Sequence, residues 1–293
     1  TLAIRLDGET KGELLDRCGG LEDLRNGLIR ILHERSFIDD PTRMFRAVRF
    51  EQRFDFTMEP DTLCRLREQL DGIENLTGQR IWHELELYCT EPEPAADFER
   101  ITQLGIAARI HPGFVWSKEI AADAGRFCRT RAASFWKDVC DVNFETAEEK
   151  GLLWIWLGHM PAAVIAELEE RLLIPKKIGR IIEGISELLT GFPEKSKQAP
   201  SEIVFFLDEL PMEALYCYMR FCGKSEGKLI KNYMTYWRHI HPVTTGDDLA
   251  EFSIEPGPGM RVILKELRAA CIDMDLQPEE ESEWLEKSIG KDL

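Results

Sequence analysis

The chain has 293 residues, 44% of them apolar and 31% charged, and a formal net charge of −16 from 37 Lys and Arg against 53 Asp and Glu. That length suits roughly two domains with substantial cores, and the acidic balance excludes an indiscriminate nucleic-acid binder, because phosphate contacts rely on Lys and Arg and an acidic surface repels them. No apolar run approaches the ~20 residues of a membrane span and no signal-peptide layout opens the chain, so a cytoplasmic location with no membrane partner is expected; the eight cysteines are scattered without a C-x-x-C pair and are expected to be reduced, mostly buried thiols.

In chain order, TLAIRL is an apolar, strand-like run that pairs by period with GELLD across Asp7 and Gly8. A domain rarely opens in mid-strand, and no Met stands first, so the sequence is expected to be a fragment whose N-terminal part has been removed. From about Leu21 helical periodicity dominates. In PTRMFRAVRFEQRF, Pro41 suits the first helical turn, and Ala47, Phe50 and Phe54 recur at helical spacing. PDTLCRLREQLDGI follows with Gly72 as its stop, and TGQRIWHELELYC starts after Thr77 as N-cap. Further helices are expected across 96–110, 117–141, 147–158, 161–173, 175–190, 200–222, 225–239 and 260–272, with breaks at HPG, GHMP, GFPEKSKQAP and EPGPG. The fold class is therefore mainly α with a small β element at its start.

Charge is unevenly spread. Residues 1–60 hold ten Lys and Arg against twelve Asp and Glu, and residues 171–240 hold eleven against eight, so an anionic ligand is expected to meet one of these two segments. Within the first, FIDDPTRMFRAVRF sets Arg43, Arg46 and Arg49 three residues apart, continued by Arg53. At about 100° per residue the last three share one helical sector with Arg43 at its edge. Like charges on one face repel, so their gathering suggests an anion that offsets the repulsion. Asp40 and Arg43, spaced i, i+3, can place a carboxylate acceptor beside a guanidinium donor. Adenine and cytosine each show an amino donor next to a ring-nitrogen acceptor, and guanine and uracil the reverse, so such a fork would accept A and C and refuse G and U. The other reading makes Asp40 a helix cap and the arginines partners of acidic residues. The chain would then be a helical interaction module with no nucleotide site.

DDPTRMFRAVRF resembles the neck motif of the class II tRNA nucleotidyltransferases and bacterial poly(A) polymerases, the CCA-adding enzymes and their relatives. TLAIRL is similar to the end of the strand that follows the family's Arg-Arg-Asp-Phe-Thr motif. LTGQRIWHEL is similar to the motif that props the neck, with Gln79 where Glu is common, and TTGDDLAEF to PGPGMRVILKEL resembles the C-terminal tail more loosely. The resemblance implies three parts: residues 1–36 as the end of a nucleotidyltransferase head, 37–115 as a nucleotide-selecting neck, and 116–293 as a helical body and tail that hold the tRNA acceptor arm. It implies that Asp40 and Arg43 read the base of ATP or CTP, while Arg46 and Arg49 bind its phosphates or fix that reader. RNA would meet Lys176, Lys177, Arg180, Lys224, Lys228, Lys231 and Arg238 near Tyr233, Tyr236 and Trp237. The implied activity is template-independent addition of A, C or both to RNA 3′ ends; full CCA addition, A addition, CC addition and poly(A) synthesis stay open.

In that family Mg²⁺ sits on two head aspartates after a Gly-Gly-x-x-Arg-Asp turn. Here CGGLED has the glycines without the Arg-Asp, and the D-x-D of Asp273 and Asp275 has no phosphate loop before it. No catalytic or metal-binding residue is expected in this chain, Mg²⁺ is assigned to the missing head, and the chain alone is expected to be inactive. The H-x-H of His239 and His241 beside Asp247 and Asp248 reads as loop surface. His111 and His159 lack the following Asp of metal phosphohydrolases, and Rossmann and P-loop glycine motifs are absent.

Overall fold

The computed structural model describes residues 2–139, 144–251 and 257–289. Strands β1 (Leu2–Ile4) and β2 (Leu14–Asp16) form an antiparallel hairpin in the register Leu2↔Asp16, Ala3↔Leu15, Ile4↔Leu14, the pairing expected of TLAIRL and GELLD. The turn is wider than Asp7-Gly8: Gly12 N–H donates to the Arg5 carbonyl at 2.9 Å, and both Gly8 and Gly12 take positive φ. Helix α1 (Gly20–Asn26) follows, its first N–H groups donating to the Asp16 carboxylate from Gly20 and Leu21 at 2.9 and 2.8 Å. After β3 (Leu28–Ile29) come α2 (Ser36–Asp39), α3 (Thr42–Arg53) and β4 (Thr57–Met58), and β3 pairs with β4 in parallel. Two-residue strands are too short to show a period, which is why this pair was not expected.

Helices α4 (Pro60–Glu68) and α5 (Gly78–Tyr88) flank a 3₁₀ turn over Leu70–Asn75. The helix expected over 96–110 is two, α6 (Pro94–Gln103) and α7 (Ile106–Ile110), because Gly105 turns left-handed at φ 84° between them. The helix expected over 117–141 divides into α8 (Lys118–Arg129) and α9 (Trp136–Val139), its last two positions lying outside the described residues. Next are α10 (Glu145–Gly158), α11 (Ala162–Leu172) and α12 (Lys176–Lys195). The last runs through the expected GFP break: Phe192 is fully buried against Phe206 and Tyr218, with ring centroids 6.0 and 6.1 Å away, and this packing outweighs the backbone donor that Pro193 lacks. Pro211 divides the expected 200–222 helix into α13 (Pro200–Asp208) and α14 (Met212–Met219). The chain continues through α15 (Lys224–Thr235), a 3₁₀ turn Trp237–His239, α16 (Gly246–Glu251), α17 (Pro258–Asp273) and α18 (Glu281–Ile289). No described helix is long and apolar enough to cross a membrane.

Two compact units result, one from the described residues of 1–131 and 144–186, the other from those of 132–143 and 187–293. The boundaries expected after residues 36 and 115 both fall inside the first unit. Its core gathers Phe37, Phe45 and Val48 below α3 with Ile81, Leu85, Phe98 and Trp156, all fully buried. Gly78 opens α5 where α11 ends, and a Cβ there would lie 2.3 Å from the Arg171 carbonyl oxygen, so only glycine fits. Arg171 in return donates to the carbonyls of Leu76 and Ile73 at 3.1 and 3.3 Å, satisfying the end of the 3₁₀ turn.

In the second unit Leu207 on α13, Leu249 on α16, Leu267 on α17 and Leu285 on α18 are buried. The Asp273 carboxylate accepts from Ser201 N–H at 2.8 Å and Ser201 Oγ at 2.6 Å, which ties the end of α17 to the start of α13. That capping role, with Asp275 held at φ 53°, accounts for the D-x-D without a ligand. Cys89, Cys217 and Cys271 are buried, but Cys18, Cys64 and Cys128 are exposed. The thiols are thus less uniformly buried than expected, because Cys64 and Cys128 sit on helices that cover the core from one side only.

Candidate functional site

The site is built on the turn from α2 into α3. Asp40 ends α2, and its Oδ1 accepts from Thr42 N–H at 3.2 Å and Thr42 Oγ1 at 2.7 Å, so the side chain satisfies the first backbone donor of α3. The same Oδ1 takes a third bond, from Arg80 Nη2 of α5 at 2.8 Å. Partial burial raises the pKa of Asp40, but the Thr42 hydrogen bonds and the Arg80 charge outweigh it and hold the carboxyl below its ordinary range. It is therefore ionised at neutral pH with one oxygen saturated. Among the described residues nothing donates to Oδ2. One helical turn on, Arg43 is exposed; its Nη1 donates to the Ser36 carbonyl at 3.2 Å and it meets no carboxylate. The acceptor and donor of the expected fork thus lie on one turn, facing solvent.

The arginine row separates into two kinds. Arg46 is exposed and has no described acidic partner, and its guanidinium lies 5.6 Å from the Phe50 ring centroid. Arg49 is only 7% exposed and sits 3.6 Å from both Glu84 of α5 and Glu91, a buried ion cluster. Arg53 donates to both oxygens of Glu91, through Nε at 2.6 Å and through Nη2. Arg49 and Arg53 also approach Phe50, at 5.7 and 5.8 Å, so three cations surround one ring. Of the two roles expected for Arg49, its burial suits fixing the reader and not direct phosphate contact. Phe50 also lines a cavity of about 460 Å³ shared with Arg17, Asp23, Arg30 and Phe56. A second cavity, about 380 Å³ and lined by Pro41, Gly72, Leu76 and Arg80, lies against the fork's turn.

Arg80, Glu84, Glu91 and Asp97 were not among the expected site residues. Arg80 and Glu84 had a signal, since both stand i, i+4 within LTGQRIWHEL, the stretch that resembles a neck-propping motif. Glu91 and Asp97 follow that motif and carry no signal of their own. Arg30 was also missed: its Nε donates to both Asp23 oxygens at 3.1 Å and it lies 3.4 Å from Glu59.

The expected RNA-binding residues are divided between the two units. Lys176, Lys177 and Arg180, exposed at the start of α12, belong to the first unit; Lys224, Lys228, Lys231 and Arg238 belong to the second. Lys224, Lys228 and Lys231 are exposed along one face of α15, and Lys231 Nζ lies 5.9 Å from the Phe135 ring centroid. Arg238 is half-buried against the sulfurs of Met212 and Met234 at 3.7 and 3.6 Å. Tyr233 is buried and donates to Asp208 at 2.9 Å, which makes it a core residue and not a stacking platform, whereas Tyr236 is exposed. His239 Nε2 lies 3.3 Å from the Met234 carbonyl. Among the described residues no three His, Cys, Asp or Glu side chains come together to hold a metal ion.

Residues 55–116 match the family model described as "Probable RNA and SrmB-binding site of polymerase A". The chain is 31% identical over 264 residues to an A-adding tRNA nucleotidyltransferase of Halalkalibacterium halodurans, covering 88% of this chain and 58% of that protein. It is 30% identical over 292 residues to the A-adding tRNA nucleotidyltransferase of Geobacter sulfurreducens, covering 93% of this chain and 32% of that protein. The chain thus spans well under two thirds of the length of these relatives. Its fold is that of a CCA-adding enzyme solved with ATP, at a TM-score of 0.75 and 24% identity over 98% of this chain and 70% of that one. The Thermotoga maritima CCA-adding enzyme complexed with tRNA gives a TM-score of 0.68 at 25% identity, over 96% of this chain and 68% of that one. With the neck motif on α3, the propping motif on α5 and these likenesses along most of its length, the chain belongs to the family of class II tRNA nucleotidyltransferases and bacterial poly(A) polymerases.

Proposed function

We propose that these residues form the base-selecting neck and the RNA-holding body of a nucleotidyltransferase that adds A, C or both to tRNA 3′ ends without a nucleic-acid template. The observation that carries this reading is the fork at the start of α3, where Asp40 is pinned through Oδ1 and Arg43 has no acidic partner. The amino group of adenine or cytosine would donate to Asp40 Oδ2, and Arg43 would donate to the neighbouring ring nitrogen. Guanine and uracil would set a carbonyl against the carboxylate and an N–H against the guanidinium. Arg46 supports phosphate binding as the other row member without an acidic partner, and the exposed face of Lys224, Lys228 and Lys231 supports contact with the acceptor arm. Arg49 and Arg53 do pair with acidic residues, as the interaction-module reading requires, but Arg43 and Arg46 do not, and that favours a ligand.

Phosphoryl transfer in this family is metal-dependent, and we assign Mg²⁺ to carboxylates outside these 293 residues. The chain alone is expected to bind nucleotide and transfer none. Equilibrium titration of the purified chain with ATP, CTP, GTP and UTP at one ionic strength tests both points when paired with a tRNA-extension assay. A mismatched base leaves polar groups unpaired at about 1–3 kcal/mol each, so ATP and CTP are expected to bind roughly 5- to 150-fold more tightly than GTP and UTP. Equal affinities for all four would overturn the fork, and Mg²⁺-dependent extension by this chain would overturn the assignment of the metal.

A further inference from the structure

Beneath α3 the buried carboxylates outnumber the buried guanidinium groups: Glu84, Glu91 and Asp97 are buried, Arg49 is buried, and Arg53 reaches in from an exposed position. Arg49 lies 3.6 Å from Glu84 and from Glu91, and Arg53 takes both oxygens of Glu91. Two guanidinium groups, one buried and one exposed, thereby face two buried carboxylates, Arg49 by ion pairing alone and Arg53 by hydrogen bonds. A third carboxylate, Asp97 of α6, is 1% exposed, and neither of its oxygens has a hydrogen-bond partner. The next cation along α6, Arg100, is already held by Glu51 at 2.7 and 3.1 Å. The charges that act on Asp97 come from α3, as Arg49 and Arg53, and from the turn after α5, as Glu91; the buried Tyr88 hydroxyl of α5 feels the charge of Asp97 in turn and donates to the Phe45 carbonyl at 2.9 Å.

An ionised carboxylate without a hydrogen bond in such a place costs far more than a neutral one. We infer that Asp97 is a positioning residue for α3: it enters the folded unit as a neutral carboxylic acid, and its proton keeps Arg49 and Arg53 on Glu84 and Glu91 and so keeps the arginine row in place. Losing that proton would add a third anion competing for two guanidinium groups, both of which lie on the helix that carries the fork. Burial, reinforced by the Glu91 charge and opposed by Arg49 and Arg53, moves the carboxyl up to about 8, in accord with the geometry.

The sign of the pH dependence follows. An unfolded aspartate releases its proton near 3.9, whereas the folded one retains it to about 8. Between those values the folded state binds one more proton, so this group's effect on stability worsens as pH rises and levels off above about 8. Asp97→Asn mimics the neutral acid and has no proton to lose. Urea unfolding of the full chain at several pH values should show the folding constant of Asp97→Asn, relative to wild type, rising roughly tenfold per pH unit between pH 5 and 7.5. Parallel profiles would overturn the protonated state. In the wild-type chain the ¹³C-carboxyl resonance of Asp97 should titrate with a midpoint above pH 7, and a midpoint below 5 would overturn it independently of any variant.

The effect on base choice rests on the fork proposed above. Preference for ATP and CTP over GTP and UTP should shrink in wild type from pH 7 to pH 9 while Asp97→Asn keeps it; equal behaviour of the two proteins would overturn the positioning role. Absence of nucleotide binding at every pH would instead defeat the fork, leaving the unfolding and resonance measurements to decide the proton.

Discussion

Arg49→Ala is expected to destabilise the first unit by roughly 3–5 kcal/mol, the range for removing one member of a buried ion cluster and leaving charge behind. The guanidinium is 7% exposed and stands between Glu84 and Glu91, themselves 8% and 6% exposed. Burial already pushes the Glu84 carboxyl up, with the charges of Arg49 and then Arg46 opposing it, so losing Arg49 drives Glu84 towards protonation. Arg46→Ala, three residues earlier on the same helix, removes an exposed side chain that makes no described ion pair and acts on Glu84 only from beyond ion-pair distance, and should stay within about 0.5 kcal/mol of wild type. Arg49→Lys keeps the charge but loses the planar group that faces two carboxylates, and should fall between the two. Chemical unfolding of the three variants without nucleotide checks the order. If Arg49→Ala is as mild as Arg46→Ala, the cluster does not hold α3.

Arg43→Ala is expected to weaken ATP and CTP binding tenfold or more, as for losing a charge-assisted hydrogen bond of about 1.5–3 kcal/mol, and to leave stability nearly unchanged, because the described side-chain bonding of this exposed arginine is to the Ser36 carbonyl. Asp40→Ala should act differently. It removes the acceptor for the amino group but leaves a guanidinium that can still meet the carbonyls of G and U, so the preference for A and C should collapse while some binding survives. It also frees the Thr42 N–H, costing about 1 kcal/mol of stability as for a lost cap. Arg80→Ala leaves both fork residues in place but releases Oδ1 from its third donor, so affinity should change less than the ratio between bases. Titration of the four nucleotides against each variant separates these outcomes. An unchanged ranking in both Asp40→Ala and Arg43→Ala would reduce Asp40 to a helix cap and defeat the base-reading fork.

Several parts of this arrangement are legible in the sequence. TLAIRL and GELLD pair as β1 and β2, a hairpin legible because two short apolar runs lie close in sequence across the turn residues Asp7 and Gly8. Pro41 and the Phe50–Phe54 spacing placed α3, and the i, i+3 spacing of Asp40 and Arg43 put acceptor beside donor, since helical geometry relates near neighbours without reference to the rest of the chain. Where local signals were misjudged, packing supplied the reason: α12 runs through Pro193 because Phe192 is buried, and Gly78 is required by the end of α11, a fact that nothing in GQRIWHEL discloses.

Tertiary structure alone decided which arginines are available. Arg46, Arg49 and Arg53 share one sector of α3, so periodicity treats them alike, yet Glu91, 38 positions along the chain from Arg53, accepts hydrogen bonds from that arginine and ion-pairs with Arg49, while Arg46 makes no described ion pair. The basic stretch 171–240 reads as one charged segment, but its cations divide between two separately packed units and Arg238 turns inward against methionine sulfur. The proton assigned to Asp97 is the extreme case, because it follows from a buried, unpartnered carboxylate among charges that α3, α5, α6 and the turn after α5 bring together. Sequence spacing determines which side chains share a helix face. Whether a charge on that face finds water, a ligand or a distant carboxylate is set by long-range packing, and desolvation then makes the difference worth several kcal/mol.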